Sequence, residues 1–171
     1  MNDIRDNLNL RGAYHVEHWR AGKLIGVYDI HNTITISGKN LCLNAMFLSA
    51  TPIASWYMGL INNTPTPTTP NTDVYATRSW TEFTSFAEGV RQAWVPGTST
   101  TATSTNATPA TFTISGSAAT VFGLFICGGG SSPTVPGDTA GGGTLWAAAG
   151  FTAPVAVNPA DQLKVTYTIN G

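Results

Sequence analysis

Apolar and polar residues alternate most cleanly near the end of the chain. In residues 162–170, Leu163, Val165, Tyr167 and Ile169 take every second position, between Gln162, Lys164, Thr166 and Thr168. Successive side chains of a strand point to opposite faces, so this stretch predicts a half-buried β-strand. Residues 110–115 repeat the pattern, with Phe112 and Ile114 on one face and Thr111 and Thr113 on the other. Residues 119–127 are apolar almost without a break, which predicts a central strand covered on both faces. Residues 55–61 and 144–151 are two further apolar segments of strand length.

Toward the start, residues 12–30 read as a hairpin. Tyr14 and Val16 alternate with His15 and Glu17, and the run from Leu24 to Ile30 returns. Gly22 supplies the positive φ that a short turn with a bulge requires. Residues 32–36, rich in β-branched side chains, are expected to stay extended. One helix is expected, opening at Ser37-Gly38-Lys39-Asn40 with Ser37 as N-cap and stopped by Pro52. Leu41, Ala45 and Leu48 fall on one face of it, to be packed on a sheet. Residues 80–94 are mixed: Trp80, Phe83 and Phe86 have helix-like spacing, residues 90–95 look extended, and Gly89 argues against a long helix.

Between these segments lie charge-poor linkers of Thr, Ser, Pro, Ala and Gly, at residues 62–72, 96–108 and 128–143. The Gly-rich last one reads as a flexible loop pinned at both ends. About seven or eight short strands with one early helix suit an all-β fold, a jelly-roll-like β-sandwich. We place this domain at residues 12–171. Residues 1–11 read as an N-terminal arm with apolar teeth at Ile4, Leu8 and Leu10. A chain of 171 residues buries roughly 70% of its unfolded surface, enough for a full core.

Composition narrows the function. Charged residues make up 10% of the chain, against about 25% in an average soluble domain, and the formal net charge is -1. No basic field draws nucleic acid or an anionic membrane, so neither is expected as a partner. No apolar run approaches the roughly 20 residues of a membrane helix. The first six residues are polar and of mixed charge, and the reading expects no secretory leader. Cys42 and Cys127 sit among apolar neighbours and are expected to be buried thiols of a protein made in a reducing cytoplasm.

Candidate chemistry is sparse. His15, Glu17 and His18, with His31 across the hairpin, are the densest set of metal-ligand types. Strand alternation puts His15 and Glu17 on one face and His18 on the other, so they do not converge on a metal. No Gly-x-Ser-x-Gly elbow occurs, and Asp73, Glu82, Glu88, Asp138 and Asp161 are scattered. The Gly triplets at residues 128–130 and 141–143 lack the Lys of a phosphate loop. The reading is therefore not an enzyme, with no catalytic residue, metal or cofactor. Trp56, Tyr57, Trp80, Trp94 and Trp146 are either core residues or a platform for sugars. Arg91 is expected to pair with Glu82, tying the Trp80 segment to the next strand.

Several of these segments, in their order, resemble a family of small structural proteins of tailed bacteriophages. The similar parts are Asn32-Thr33-Ile34-Thr35-Ile36-Ser37-Gly38-Lys39, the helix after it, and Trp56-Tyr57-Met58-Gly59-Leu60-Ile61. They continue with Trp80-Thr81-Glu82-Phe83, Arg91-Gln92-Ala93-Trp94, Val121-Phe122-Gly123-Leu124-Phe125-Ile126 and the terminal strand. The resemblance spans roughly residues 12–170 and carries no catalytic motif; the long Thr-rich loops depart from it. It implies a capsid decoration, or cement, protein on the outer surface of the virion. The implied partners are the major capsid protein and further copies of the chain, as a homodimer or homotrimer. Ile4, Arg5, Leu8, Leu10 and Arg11 are the expected partner-binding residues. The alternatives are a tail, neck or fibre-associated virion protein, or a carbohydrate-binding module.

Overall fold

In the computed structural model, residues 10–63, 74–99 and 101–171 are described. The chain opens with the expected hairpin, β1 (Arg11–Arg20) and β2 (Lys23–Thr33). Ala21 and Gly22 form its turn with φ of 46° and 75°, the double positive φ of the tight turn that matches strand twist. The register slips between His18 and Trp19, leaving Ile25 as the extra residue of a bulge. On the other side of β1 runs β10 (Gln162–Asn170), paired from Arg11↔Asn170 to Trp19↔Gln162. The far edge of β10 carries two short strands, β6 (Thr103–Thr105) and β7 (Ala110–Thr113).

A second antiparallel sheet faces the first. Its centre is β3 (Trp56–Ile61) beside β8 (Ala119–Gly129). The other edge of β3 pairs with β4 (Glu82–Phe83) and β5 (Gln92–Trp94), and β9 (Gly143–Val157) pairs with β8. The chain crosses between sheets from β2 to β3, β5 to β6, β7 to β8 and β9 to β10. The fold is thus an all-β sandwich, as the alternation predicts, with one α-helix among the described residues, inserted early.

The main core lies between the sheets. Tyr14, Val16, Val165 and Tyr167 from the first sheet meet Met58, Leu60, Leu124 and Ile126 from the second. A separate cluster covers the outer face of the second sheet: Ile61, Tyr75, Trp80, Phe125, Cys127, Leu145 and Ala148. Strand β8 contributes to both, which is why its sequence is apolar almost without interruption.

Several local expectations are corrected. The helix α1 spans Ile36–Phe47, and its N-cap is Thr35, not Ser37. Thr35 is buried, its backbone N–H bonds Trp146 O at 3.0 Å, and its Oγ1 accepts from Gly38 N at 3.0 Å. This docking to β9 ends the extended backbone at Thr33 and starts the helix early. Leu41 and Ala45 are half-buried as expected, but Leu48 lies at the C-cap and is exposed. Residues 80–94 form no helix, because tertiary packing sends the aromatics to different layers: Trp80 to the outer cluster, Phe83 and Phe86 to the main core. The linker at 96–108 holds β6, and its ends are joined by the Pro96↔Asn106 bridge.

Phe125 is fully buried in the outer cluster, with its ring 4.7 Å from that of Trp80. Phe125→Ala is expected to cost about 3–5 kcal/mol in urea unfolding, as large core truncations do. A loss below about 1 kcal/mol, the level of surface substitutions, would show that this second layer contributes little.

Candidate functional site

Three regions of the molecule concentrate unusual side chains. The first is the lid over the outer cluster, organised by Arg91, whose residue exposure is 1%. Arg91 Nε donates to Glu82 Oε1 at 2.8 Å and Nη2 to Glu82 Oε2 at 2.6 Å, the two-pronged pairing that guanidinium geometry favours. Nη2 also donates to Asp138 Oδ1 at 2.7 Å and to the Tyr75 hydroxyl, and Nη1 to Pro133 O at 3.0 Å. Tyr75 in turn donates to Asp138 Oδ1 at 2.5 Å, and Gly137 N donates to Glu82 Oε2 at 2.7 Å.

One cation therefore holds β4, the approach to β5, the short 3₁₀ turn Tyr75–Thr77 and the loop after β8. That loop is pinned along its middle as well as at its ends. The expected Arg91–Glu82 pair is present, and Asp138 joins it unforeseen. Burial works against the Arg91 charge, but the hydrogen bond to Glu82 and the surrounding negative groups raise its pKa above the usual arginine value. Burial pushes the Asp138 carboxyl up; hydrogen bonds from Tyr75, Arg91 and Gly141 outweigh it and hold the pKa low. Cys127, 3.6 Å from Arg91 Nη1, is pushed up to about 12 mainly by burial. It stays a thiol at neutral pH and is no nucleophile. The arrangement is a structural clamp.

The second region surrounds Asp161, which is fully buried. Its carboxylate accepts from Arg20 Nε and Nη2, each at 2.8 Å, and from Asn158 N at 2.8 Å. His18 Nε2 lies 2.7 Å from Asp161 Oδ2. The Arg20 hydrogen bond is the largest influence, and it keeps the Asp161 pKa well below the ordinary carboxylate range. The cluster ties the β9–β10 turn to β1. It also commits His18 away from His15, which lies on the outer face 2.7 Å from Asp29 Oδ1. Among the described residues no group of three or more His, Cys, Asp or Glu could hold a metal.

The third region is the end of the sandwich where β1 and β3 begin and β5 and β10 end. An apolar pocket of about 190 Å³ opens there, walled by Leu41, Cys42 and Ala45 of α1 and by Trp56, Trp94 and Trp146. Trp94 and Trp146 are buried, and so is Trp80 elsewhere, so these rings serve the core. Trp56 is half-buried, its ring 5.5 Å from that of Trp146 in an edge-on contact. Beside the pocket, Met46, Phe47 and Leu48 at the end of α1 are 69%, 72% and 73% exposed. Cys42 is a free, half-buried thiol, less enclosed than expected, whereas Cys127 is buried.

Of the expected partner-binding residues, Ile4, Arg5 and Leu8 lie outside the described residues. Leu10 packs half-buried against the main core, and Arg11 is the exposed first residue of β1. Strand pairing with β10 continues to Arg11↔Asn170, so Arg11 belongs to the sheet and not to the arm. The described residues hold no helix long and apolar enough to cross a membrane. No protein-family model matches the chain, and no curated protein matches it.

Two predictions follow from the buried charges. Arg91→Ala leaves Glu82 and Asp138 without their cation and is expected to cost about 3–5 kcal/mol in denaturant unfolding. Joint replacement by Arg91→Met and Glu82→Leu is expected to recover part of that loss. Equal stability of Arg91→Ala and the native chain would remove the clamp from the account. For Asp161 the folded pKa lies below the unfolded value of about 3.9, so its contribution is complete above that pH and fades as pH falls through the folded pKa. Asp161→Asn is expected to destabilise the protein at pH 7 and to flatten the acid limb of the urea midpoint against pH. An unchanged acid limb would contradict this.

Proposed function

We propose that the protein is a structural component of a tailed-phage virion, a decoration protein that binds the major capsid protein lattice and stabilises the head. The single observation that carries this reading is how its side chains are apportioned. The buried ionic groups Glu82, Arg91 and Asp161 are spent on internal clamps, while Met46, Phe47 and Leu48 stand exposed at one end. A cement protein needs a rigid body that does not rearrange and an uncharged surface to bury against a shell. Exposed apolar side chains grouped at one place commonly mark such contacts. The resemblance in strand and turn pattern described above supports the same assignment.

On this reading the protein acts without cofactor or catalysis and lies on the outer surface of the capsid as a homodimer or homotrimer. Neither nucleic acid nor membrane is a partner. The start of the chain, with Ile4 and Arg5, and the exposed end of α1 meet the capsid protein. Many equivalent sites on a lattice add avidity to a modest single contact.

Shells assembled without the protein and then mixed with it test the proposal. Binding should saturate and raise the temperature or pressure at which shells open. Removing residues 1–9, or replacing Phe47 with Asp, should weaken binding at least about tenfold, roughly 1.4 kcal/mol, while far-UV circular dichroism stays unchanged. Failure of the native chain to bind or protect shells contradicts the decoration role.

A further inference from the structure

We propose that β2 is the edge through which the protein pairs with itself: β2 of one copy runs antiparallel to β2 of a second, about a two-fold axis at Ile30, and joins their first sheets into one. The decoration reading leaves open how copies of the chain meet, and this inference does not depend on it.

Strand β2 ends its sheet, with β1 on one side only. The edges formed by β4, β5, β6 and β7 are two to four residues long. The longer edge strand β9 carries Pro154 at a break in its pairing with β8, between Gly150 and Val155. Short strands, prolines and bulges are the usual guards against edge pairing. Residues 26–33 of β2 have none of them: they pair with β1 without a break and hold no proline. Strand β9 meets β2 by side chains, with the Phe151 ring 5.4 Å from that of Tyr28, and among the described residues no ladder joins the two strands.

The hydrogen bonds of the sheet show which backbone groups of β2 face the open edge. Tyr167 N donates to Asn106 Oδ1 at 2.7 Å, and Val165 O accepts from Asn106 Nδ2 at 3.1 Å. Both residues therefore turn their backbone groups away from β1. Their register partners Tyr14 and Val16 turn theirs toward β2, where they meet Ile30 and Tyr28. Alternation then directs the N–H and C=O of Val27, Asp29, His31 and Thr33 outward. Val27 is 46% exposed and the Asp29 side chain 69%.

A second copy must bring these outward residues together, and their side chains select the register. An axis at Asp29 sets two carboxylates opposite each other, which is unfavourable. An axis at Tyr28 sets Asp29 against Val27 of the partner subunit, and one at Val27 runs the pairing into the bulge at Ile25. An axis at His31 opposes two imidazoles and shortens the paired stretch. An axis at Ile30 places Asp29 opposite the partner's His31 and His31 opposite the partner's Asp29. The imidazole has an N–H to donate in either charge state, and a carboxylate that already takes His15 has acceptor sites left. Val27 and Thr33 pair at the two ends, so residues 27–33 of each copy make about eight backbone hydrogen bonds. The acid and the imidazole stand two residues apart on one strand, so the strand is its own complement, as a two-fold interface requires.

Sedimentation velocity of the full chain, Asp29→Pro, Asp29→Arg and the joint change Asp29→Arg with His31→Glu tests this, from micromolar concentration upward. The full chain should sediment as a dimer. Asp29→Pro removes an N–H that the fold itself does not use, so far-UV circular dichroism should hold while dimer dissociation rises at least about tenfold. Asp29→Arg should weaken the dimer similarly, and the joint change, which exchanges acid and base across the axis, should restore most of it. The register is read by mild oxidation. Ile30→Cys should link two chains by a disulfide beyond any linkage in the native chain, since opposed residues without mutual hydrogen bonds lie closest. Leu24→Cys, about 40 Å from its copy in this register, should not. A monomer at every concentration, a trimer, a dimer indifferent to Asp29→Pro, a joint change that restores nothing, or linkage at position 24 and not at 30 overturns the proposal. Shells are not used, so this outcome is separate from that of the decoration role.

Discussion

A buried guanidinium has to be matched by carboxylates, and the second layer of this protein is arranged around that requirement. Arg91 cannot reach water, so its charge is met by Glu82 and Asp138, with the Pro133 carbonyl and Cys127 Sγ facing Nη1 and the Tyr75 hydroxyl against Nη2. Those partners come from a strand, a 3₁₀ turn and a loop that have little regular pairing of their own. Pulling them together places Tyr75 and Trp80 over Phe125 and closes the outer face of the second sheet. A hydrophobic replacement of similar shape can match or exceed the stability of such a pair. What the ionic clamp adds here is position: the guanidinium plane and both carboxylates set one arrangement of three segments.

The alternating strands were legible from sequence because their period is local. Residues 162–170, 110–113 and the hairpin appear where the pattern places them, and the unbroken run at 119–127 is buried on both faces. The start of α1 was misread because Thr35 is held by Trp146, more than a hundred residues away. Residues 80–94 carry a helix-like spacing that belongs to no helix, since each aromatic answers to a different layer. The low-complexity linker at 128–143 looked featureless because its structure comes from Asp138 and the Pro133 carbonyl meeting Arg91, a partner more than forty residues away.

The candidate sites divide the same way. Arg91 and Glu82 stand nine residues apart and in opposite charge, so their pairing was readable. Asp138 is 47 residues from Arg91, and Asp161 is 143 residues from His18. No local pattern marks either, and only the sheet topology brings them together. The pocket under α1 was also invisible, because Trp56, Trp94, Trp146 and Ile169 come from four strands that converge only at one end of the sandwich.

The two charge clusters and the apolar end play complementary parts in the proposed role. Clamps on the body keep it from deforming when its surface is buried against a partner, so the body itself adds little ordering cost on binding. The most direct test is cryo-electron microscopy of phage particles purified from cells that make this chain. The account predicts hundreds of copies over the outer capsid lattice, with the α1 end and the N-terminal segment against the capsid protein. A few copies at the neck or tail, or none in the particle, would contradict it.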